Sequence, residues 1–300
     1  MNPFFSIIIP TYNRANFIFL TLTSVLNQIC KNYEVIIVDD GSTDNTEEVV
    51  QGFIKNNNLI YFHYYQKVNE ERGVARNYGI KKAKGQWITF LDSDDLFYPN
   101  HLQLAFDFIK THSEAQVIHS AYEFKTQEHK FLRSVKYSKD NNLNSVVLKG
   151  NLFSCFGMLI KAEVLADLKF EESRQLSGTE DWLLWLQIAA RYPIYFQPQF
   201  SGCMIQHDGR SVLNFKEEEL LNRTNLLIEK LIKDKYFINK YGANSVKKIE
   251  AHMLTYAALH LVLSRQTNKA VELFVKGVKL NPLELFSERT LAFIKHLLFS

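Results

Sequence analysis

Three aspartates and a serine follow directly after a short apolar segment, and their carboxylates could hold a metal ion. Residues 87–91 are aromatic, aliphatic and β-branched, and Asp92, Ser93, Asp94 and Asp95 come next. Such a segment predicts a buried strand, and ligands of open α/β sheets bind at the carboxyl ends of strands. Neighbouring carboxylates repel one another unless something neutralises them. The residues therefore suit Mg²⁺ or Mn²⁺ shared with ligand phosphates; the alternative is a polar turn that caps the next helix.

Strands alternate with helices through the first half of the chain. Apolar runs predict strands at 4–10, 33–38 and 59–65, and helical spacing predicts helices near 16–28 and after Asp44, whose pairing with Glu47 suggests a capping box. This alternation predicts an α/β fold with a mainly parallel sheet. The polar loops after the first, second and fourth strands should then gather at one edge.

The second half adds further strands and a helix with an acidic start. Strands are predicted at 116–124, 155–160 and 195–206, and Glu180 and Asp181 open a helix with a core stripe that includes Trp182. Acidic residues in a first helical turn are favoured by the helix dipole, so capping alone could explain them. Arg76 near the start of its helix is unfavourable to that dipole, which favours a ligand role or an ion pair with Asp92.

Size and composition limit the possible functions and the domain organisation of the chain. The chain has 300 residues, 46% of them hydrophobic, and a net charge of only +3, which gives no case for binding nucleic acid. Its three cysteines are widely spaced and match neither a disulfide framework nor a metal motif. We expect an α/β domain at 1–213, the part that carries the candidate site residues, and a helical region at 214–300 that resembles a tetratricopeptide-like helical pair. With no signal peptide or membrane-spanning run, we expect a cytoplasmic protein; peripheral contact with the inner membrane face through the C-terminal helices, and a homodimer, stay open.

Five motifs together are similar to those of the family-2 glycosyltransferases of the GT-A fold. They are residues 6–14, 38–44, 73–77, 92–95 and 180–182, in the family's order and spacing. The resemblance covers about residues 6–208 and implies a mixed, mainly parallel sheet flanked by helices, with a C-terminal helical extension. Any one of these motifs alone would be weak evidence, whereas five in order are strong.

The resemblance also assigns roles to individual residues. Pro10, Tyr12 and Arg14 would line the nucleotide pocket, Asp40 would accept a hydrogen bond from a uracil N–H, and Arg76 would meet the pyrophosphate. The DXD motif is Asp92, Ser93 and Asp94: Asp94 would ligate the cation, and Asp92 would contact the ribose or a metal-bound water. Asp95 would contact the sugar or cap the next helix, and His207 would contact the diphosphate or the metal.

The implied reaction is inverting transfer of a hexosyl or N-acetylhexosaminyl group. The donor is a nucleotide-sugar, with a UDP-sugar expected, and the acceptor is a glycan or a lipid-linked saccharide of bacterial cell-envelope polysaccharide. Asp181 is the expected general base, with Glu180 as the alternative, and Mn²⁺ or Mg²⁺ is the expected cofactor. Two other functions remain: a catalytically degenerate nucleotide-binding scaffold, and a sugar-phosphate nucleotidyltransferase. The second usually carries a glycine-rich loop after its first strand, and the loop after Pro10 has no glycine.

Overall fold

A computed structural model describes residues 2–137, 142–207 and 217–299. Its strands are β1 (Phe5–Thr11), β2 (Tyr33–Asp39), β3 (Phe62–Gln66), β4 (Trp87–Phe90), β5 (Leu96–Phe97), β6 (Val117–Thr126), β7 (Phe131–Val135), β8 (Met158–Lys161) and β9 (Ile194–Gln206). Its α-helices are α1 (Ile18–Leu26), α2 (Thr46–Asn56), α3 (Arg72–Lys82), α4 (His101–Thr111), α5 (Val164–Asp167), α6 (Glu180–Arg191), α7 (Glu217–Lys233), α8 (Lys235–Leu263), α9 (Thr267–Leu280) and α10 (Glu288–Phe299).

The strands of the described residues form one mixed sheet. Its order is β3-β2-β1-β4-β8-β6-β9-β5, with β7 paired to β6. β1 pairs in parallel with β2 and β4, and β2 pairs in parallel with β3. β8 is antiparallel to both β4 and β6, and β9 is parallel to β6. The carboxyl ends of β1, β2, β4 and β9 consequently face the same edge of the sheet, so the predicted fold class is confirmed.

The central strands are buried along their whole length. Every residue of β1 and β2 is buried, as expected for parallel strands covered on both faces. Glu34 is buried within β2 although its side chain is charged. Its carboxylate accepts hydrogen bonds from Ser6 Oγ and from the Lys84 backbone N–H, both at 2.6 Å. These bonds satisfy the buried charge and join β1 and β2 to the turn before β4.

Two local expectations about helix starts are wrong. Asn45, rather than Asp44, occupies the N-cap position of α2, and the helix has no side-chain capping bond. Asp44 instead accepts from the backbone N–H of Thr46 at 3.0 Å. Arg76 lies beyond the first turn of α3, which begins at Arg72, so the argument from an unfavourable helix dipole does not apply to it.

The described residues divide between two compact units. The first comprises Met1–Asn144, Phe153–Arg174 and Tyr192–Arg210 and contains the sheet; the second comprises Ser145–Leu152, Gln175–Arg191 and Ser211–Ser300. The predicted boundary between residues 213 and 214 lies outside the described residues. Within the second unit, α6 packs with α8, which also packs with α7, α9 and α10.

Helix α8 is capped by Asp234 at its start and has a kink at Gly242, about a quarter of the way along it. Asp234 caps it by accepting from the backbone N–H groups of Tyr236 and Phe237, and the same carboxylate receives both terminal nitrogens of Arg191 at 2.8 and 3.0 Å. The break falls at Gly242, whose φ of 73° is open to glycine without strain. Among the described residues, no helix combines the length and the apolar character needed to cross a bilayer.

Candidate active site

The loops that follow β1 and β2 are fastened to each other. Asn13 donates its backbone N–H to Ser42 Oγ at 2.9 Å, and its side-chain oxygen accepts from the Thr43 N–H at 2.8 Å. The Arg14 N–H binds Thr46 Oγ1 at 2.9 Å. Asn13 has a φ of 51°, a left-handed conformation that asparagine tolerates better than most residues. This arrangement fixes the backbone on both sides of Asn13, and therefore the positions of Tyr12 and Arg14.

Tyr12 follows β1 directly and stands at the carboxyl edge of the sheet. Its side chain is 45% exposed, unusual for a large ring beside a buried strand. Pro10, two residues earlier, is buried within β1 and lies opposite Val38 of β2. An exposed aromatic face at this edge is available for stacking on a planar ligand.

Asp94 is the point where three distant parts of the chain meet. Its Oδ2 accepts from Arg14 Nε at 3.3 Å and lies 3.0 Å from His207 Nε2. These side chains come from the loop after β1, the turn after β4 and the residue after β9. The Asp94 side chain is 9% exposed and that of His207 is 1% exposed. A carboxylate in this position is held by one permanent cation and one imidazole.

The ring of His207 is held in place by stacking. Phe17 lies against it with a centroid distance of 4.4 Å and an interplanar angle of 28°. Nδ1 of His207 is buried and has no hydrogen-bond partner among the described residues, whereas Nε2 points at Asp94. A carboxylate oxygen and an imidazole nitrogen side by side are a donor pair suited to Mn²⁺. No cluster of three or more such ligands occurs in the described parts of the chain.

Asp92 and Arg76 form an ion pair next to that cluster. Arg76 is buried, its Nη2 donates to Asp92 Oδ1 at 2.7 Å, and its guanidinium carbon lies 5.1 Å from the centre of the Phe170 ring. The alternative that Arg76 pairs with Asp92 is thus what the structure shows. Asn77, next along α3, exchanges hydrogen bonds with the Phe170 backbone.

Ser93 and Asp95 are both buried in the turn that Asp92 begins. The Asp95 N–H returns to the Asp92 carbonyl at 3.0 Å, and Asp95 Oδ1 accepts from the backbone N–H of Ile205 at 3.1 Å. Asp95 therefore ties the turn after β4 to the end of β9. Helix α4 is preceded by Asn100 at its N-cap, so Asp95 does not cap it.

The two aspartates after β2 have different surroundings. Asp39 serves the turn itself, since its carboxylate accepts from the Ser42 N–H and from the Tyr64 hydroxyl, both at 2.7 Å. Burial and this hydrogen bond raise the pKa of Tyr64. Asp40 accepts from Lys67 Nζ at 2.7 Å and from the backbone N–H groups of Glu70 and Glu71 at 3.0 and 2.8 Å. In this structure the Asp40 carboxylate thus holds the backbone of the segment that leads into α3 through these hydrogen bonds.

Asp181 and Glu180 begin α6 in the second unit. Asp181 is half-buried, and its Oδ1 accepts from Asn151 Nδ2 at 3.0 Å and from the Trp182 N–H at 2.7 Å. Glu180 is buried, and its carboxylate accepts from the Gly178 N–H at 2.6 Å. Of the two, Asp181 has the carboxylate that is more open to solvent.

Several residues of the site were missed by the sequence analysis. Burial alone would lower the pKa of Lys67, but its hydrogen bonds to Asp40 and Glu70 outweigh burial and raise it. Neither Lys67 nor Phe17 belongs to a motif, and only the tertiary fold brings them to Asp40 and His207. Asn13 belongs to the motif at residues 6–14 but was given no role of its own, although asparagine in a tight loop is typical of a left-handed turn.

Comparison with known proteins gives a family match over more than half of the chain. The family described as Glycosyl transferase family 2 matches residues 6–168. An uncharacterized glycosyltransferase of Rickettsia bellii is 37% identical over 195 residues, which is 62% of this chain and 26% of that protein. The putative teichuronic acid biosynthesis glycosyltransferase TuaG of Bacillus subtilis is 30% identical over 185 residues, 62% of this chain and 73% of TuaG. The matched part of the chain thus spans only about a quarter of the first relative's length.

Solved structures share the fold at low identity. The structure of residues 1–349 of S. aureus TarS in complex with UDP-GlcNAc has a TM-score of 0.69 at 22% identity and covers 98% of this chain and 89% of that one. The mannosyltransferase PcManGT of Pyrobaculum calidifontis, in complex with GDP-Man and Mn²⁺, has a TM-score of 0.61 at 18% identity. The match covers 99% of this chain and 87% of that one. At these identities the likeness concerns the fold alone.

Proposed function

Because the chain belongs to the family 2 glycosyltransferases, we propose that it transfers a sugar from a nucleotide-sugar to a hydroxyl group with inversion at the anomeric carbon. The observation that carries this proposal is the meeting of Asp94, Arg14 and His207 at the carboxyl edge of the sheet. Those side chains come from three separate strand ends, and together they offer a carboxylate, a guanidinium and an imidazole. This mixture of groups can bind a diphosphate together with a bridging cation.

The nucleotide would occupy the ends of β1 and β2. Tyr12 has the exposed ring on which a base can stack, and base–aromatic stacking contributes about 1–3 kcal/mol. Asp40 lies in the neighbouring loop, where a carboxylate can accept from the ring N–H of uracil, in support of a UDP-sugar. Arg76 is assigned to the pyrophosphate. Its pairing with Asp92 keeps the buried guanidinium in place before the ligand arrives.

Asp94 and His207 are the residues that would hold Mn²⁺ or Mg²⁺, with Asp92 near them. Their donor atoms fit a divalent cation that completes its coordination with phosphate oxygens, and the imidazole favours Mn²⁺ over Mg²⁺. When bound, the cation supplies charge stabilisation for the departing nucleoside diphosphate. Arg14 and Arg76 add permanent positive charge at the same edge.

Asp181 is proposed as the general base. The acceptor oxygen would form its bond to the anomeric carbon while the bond to the diphosphate oxygen breaks, and the hydroxyl proton would pass to the Asp181 carboxylate. That carboxylate is half-buried and already oriented by two donors on Oδ1. Glu180 is less suited to this role because it is buried and engaged with the Gly178 backbone.

A glycan or a lipid-linked saccharide is the proposed acceptor. The relative named for teichuronic acid biosynthesis supports bacterial cell-envelope polysaccharide, and the TarS complex supports testing N-acetylhexosaminyl as well as hexosyl donors. The loop after β1 has no glycine between Thr11 and Arg14, which disfavours a nucleotidyltransferase.

The test is release of the nucleoside diphosphate from a panel of UDP- and GDP-sugars, measured with Mn²⁺ and mono- or oligosaccharide acceptors. We expect turnover with at least one UDP-sugar, lost in Asp181→Asn, which should still bind UDP in a calorimetric titration. Asp107→Asn is the matched control, because Asp107 is exposed on α4 and pairs only locally with Gln103. UDP binding without turnover under every condition would instead support a nucleotide-binding scaffold.

A further inference from the structure

The segment 145–152 is fastened to the start of α6 at two points. Trp182 donates its indole Nε1–H to the carbonyl of Val147 at 2.7 Å, and Asn151 donates its side-chain amide to Asp181 at 3.0 Å. An ionised carboxylate can only accept hydrogen bonds, so the amide nitrogen of Asn151 must face it. The two hydrogen bonds are made by Asp181 and Trp182, which are consecutive residues of α6.

The other side of the segment rests on α8. Gly150 has a φ of 145°, and a Cβ built there would lie 2.7 Å from Cε1 of His252. The His252 ring is 5.4 Å from the Trp182 ring, so the imidazole touches both the segment and the helix. A side chain at position 150 would therefore collide with this ring, so Gly150 packs directly against His252. Asn151 itself is exposed, and the packing fixes the backbone next to it.

Arg289 of α10 holds the imidazole in turn. Its Nη1 donates to the His252 carbonyl at 3.0 Å, and its Nη2 lies 3.1 and 3.0 Å from the two ring nitrogens. Burial, with the Arg289 charge adding to it, lowers the pKa of His252 to about 3. The ring is therefore neutral at physiological pH, so it is not repelled by the positive charge of Arg289. Thr255 Oγ1 and Glu284 bind the same cation at 2.9 and 3.5 Å.

We propose that Asn151 is a positioning residue for Asp181, held in place by His252 and Arg289 of the C-terminal helices; this rests on the proposed role of Asp181 as general base. Two donors on one carboxylate oxygen, Asn151 Nδ2 and the Trp182 N–H, fix the rotation of the Asp181 side chain. They also favour its charged form, which is the form that accepts a proton. The C-terminal helices thereby contribute to the transfer step through Asn151.

Asn151→Ala tests the positioning role. We expect kcat to fall about tenfold, as for the loss of one hydrogen bond to a charged group at a half-exposed site, with KM for the donor changed less than about twofold. A merely structural defect would lower thermal stability and disturb donor binding as well. Lys149→Ala is the matched control, because the Lys149 side chain is exposed in the same segment and makes no hydrogen bond or ion pair among the described residues; its backbone N–H bond to Val146 is kept in the variant. It should leave kcat unchanged.

Asn151→Asp tests the same contact through charge. A second carboxylate beside Asp181, with Glu180 also adjacent, disfavours the charged base, so the acidic limb of kcat against pH should move up by about one unit. Unchanged kcat in Asn151→Ala and an unshifted limb in Asn151→Asp would refute the proposal, provided Asp181→Asn is inactive. If Asp181→Asn keeps its turnover, the assignment of the base itself is wrong.

Discussion

Replacing Asp94 by asparagine removes a charge at the centre of the proposed donor site while keeping the shape of the side chain. The carboxylate is 9% exposed, and its Oδ2 contacts Arg14 at 3.3 Å and His207 at 3.0 Å. The amide that replaces it can still accept one hydrogen bond, but it is a poor ligand for a hard divalent cation. The expected loss is therefore concentrated in metal-dependent binding of the nucleoside diphosphate.

The magnitude follows from the lost charged contact. A hydrogen bond or ligand contact to a charged group contributes about 1.5–3 kcal/mol when it is mostly shielded from water. At 1.4 kcal/mol for each factor of ten, this predicts a Kd for UDP in the presence of Mn²⁺ that is roughly 10- to 100-fold weaker. Binding without Mn²⁺ should change much less, because stacking on Tyr12 and the contacts of Asp40 remain.

Calorimetric titration of UDP with and without Mn²⁺ into wild type, Asp94→Asn and Asp107→Asn measures this directly. Thermal melting of the three proteins separates a binding defect from unfolding, since Arg14 and His207 lose a partner in the first variant. An Asp94→Asn protein that melts normally and retains the wild-type response to Mn²⁺ would refute the assignment of Asp94 to the metal.

The remaining predictions concern base stacking, the anchor of α8 and acid stability. Tyr12→Ala should weaken UDP binding about tenfold, whereas Tyr12→Phe should bind as wild type in the same titration, because the ring and not the hydroxyl stacks. Asp234→Ala should lower the free energy of unfolding by about 2–3 kcal/mol in urea, since it removes a helix cap and leaves Arg191 without its bidentate partner; an unchanged midpoint would contradict this. Burial lowers the pKa of His101 and His119 to about 3, so stability should be full above pH 6.5 and fall toward pH 3 by about 1.4 kcal/mol per pH unit for each histidine. His101→Gln should reduce that slope in urea titrations between pH 6 and 4, and an equal slope would show that folding does not lower the pKa of this ring.

The sheet could be predicted from the sequence because each buried strand is a nearly continuous apolar run that ends in polar residues. The runs before Asp40 and Asp92 place both loops at the same edge once the strands are parallel. The approach of His207 to Asp94 was expected only through the family resemblance. Local pattern cannot show a contact between residues that lie so far apart in the chain.

What could not be predicted depends on irregular backbone and on tertiary packing. Nothing in the residues around Asn151 indicates that its amide reaches Asp181, because the segment has neither helical nor strand periodicity. The role of Gly150 appears only when His252 is seen against it. Arg76 was expected at a helix start, and the true start at Arg72 follows from how the preceding segment binds Asp40.

The grouping of α6 with the C-terminal helices has a consequence for how the chain is made. During synthesis α6, the helix that carries the proposed base, leaves the ribosome well before α8 and before α10 with its Arg289. Until then the support behind Asn151 is missing, although the strand ends that would receive the nucleotide have already been made. A chain that stopped before α10 would therefore keep the residues proposed to bind the nucleotide-sugar and lack Arg289, which supports the proposed positioning of Asp181.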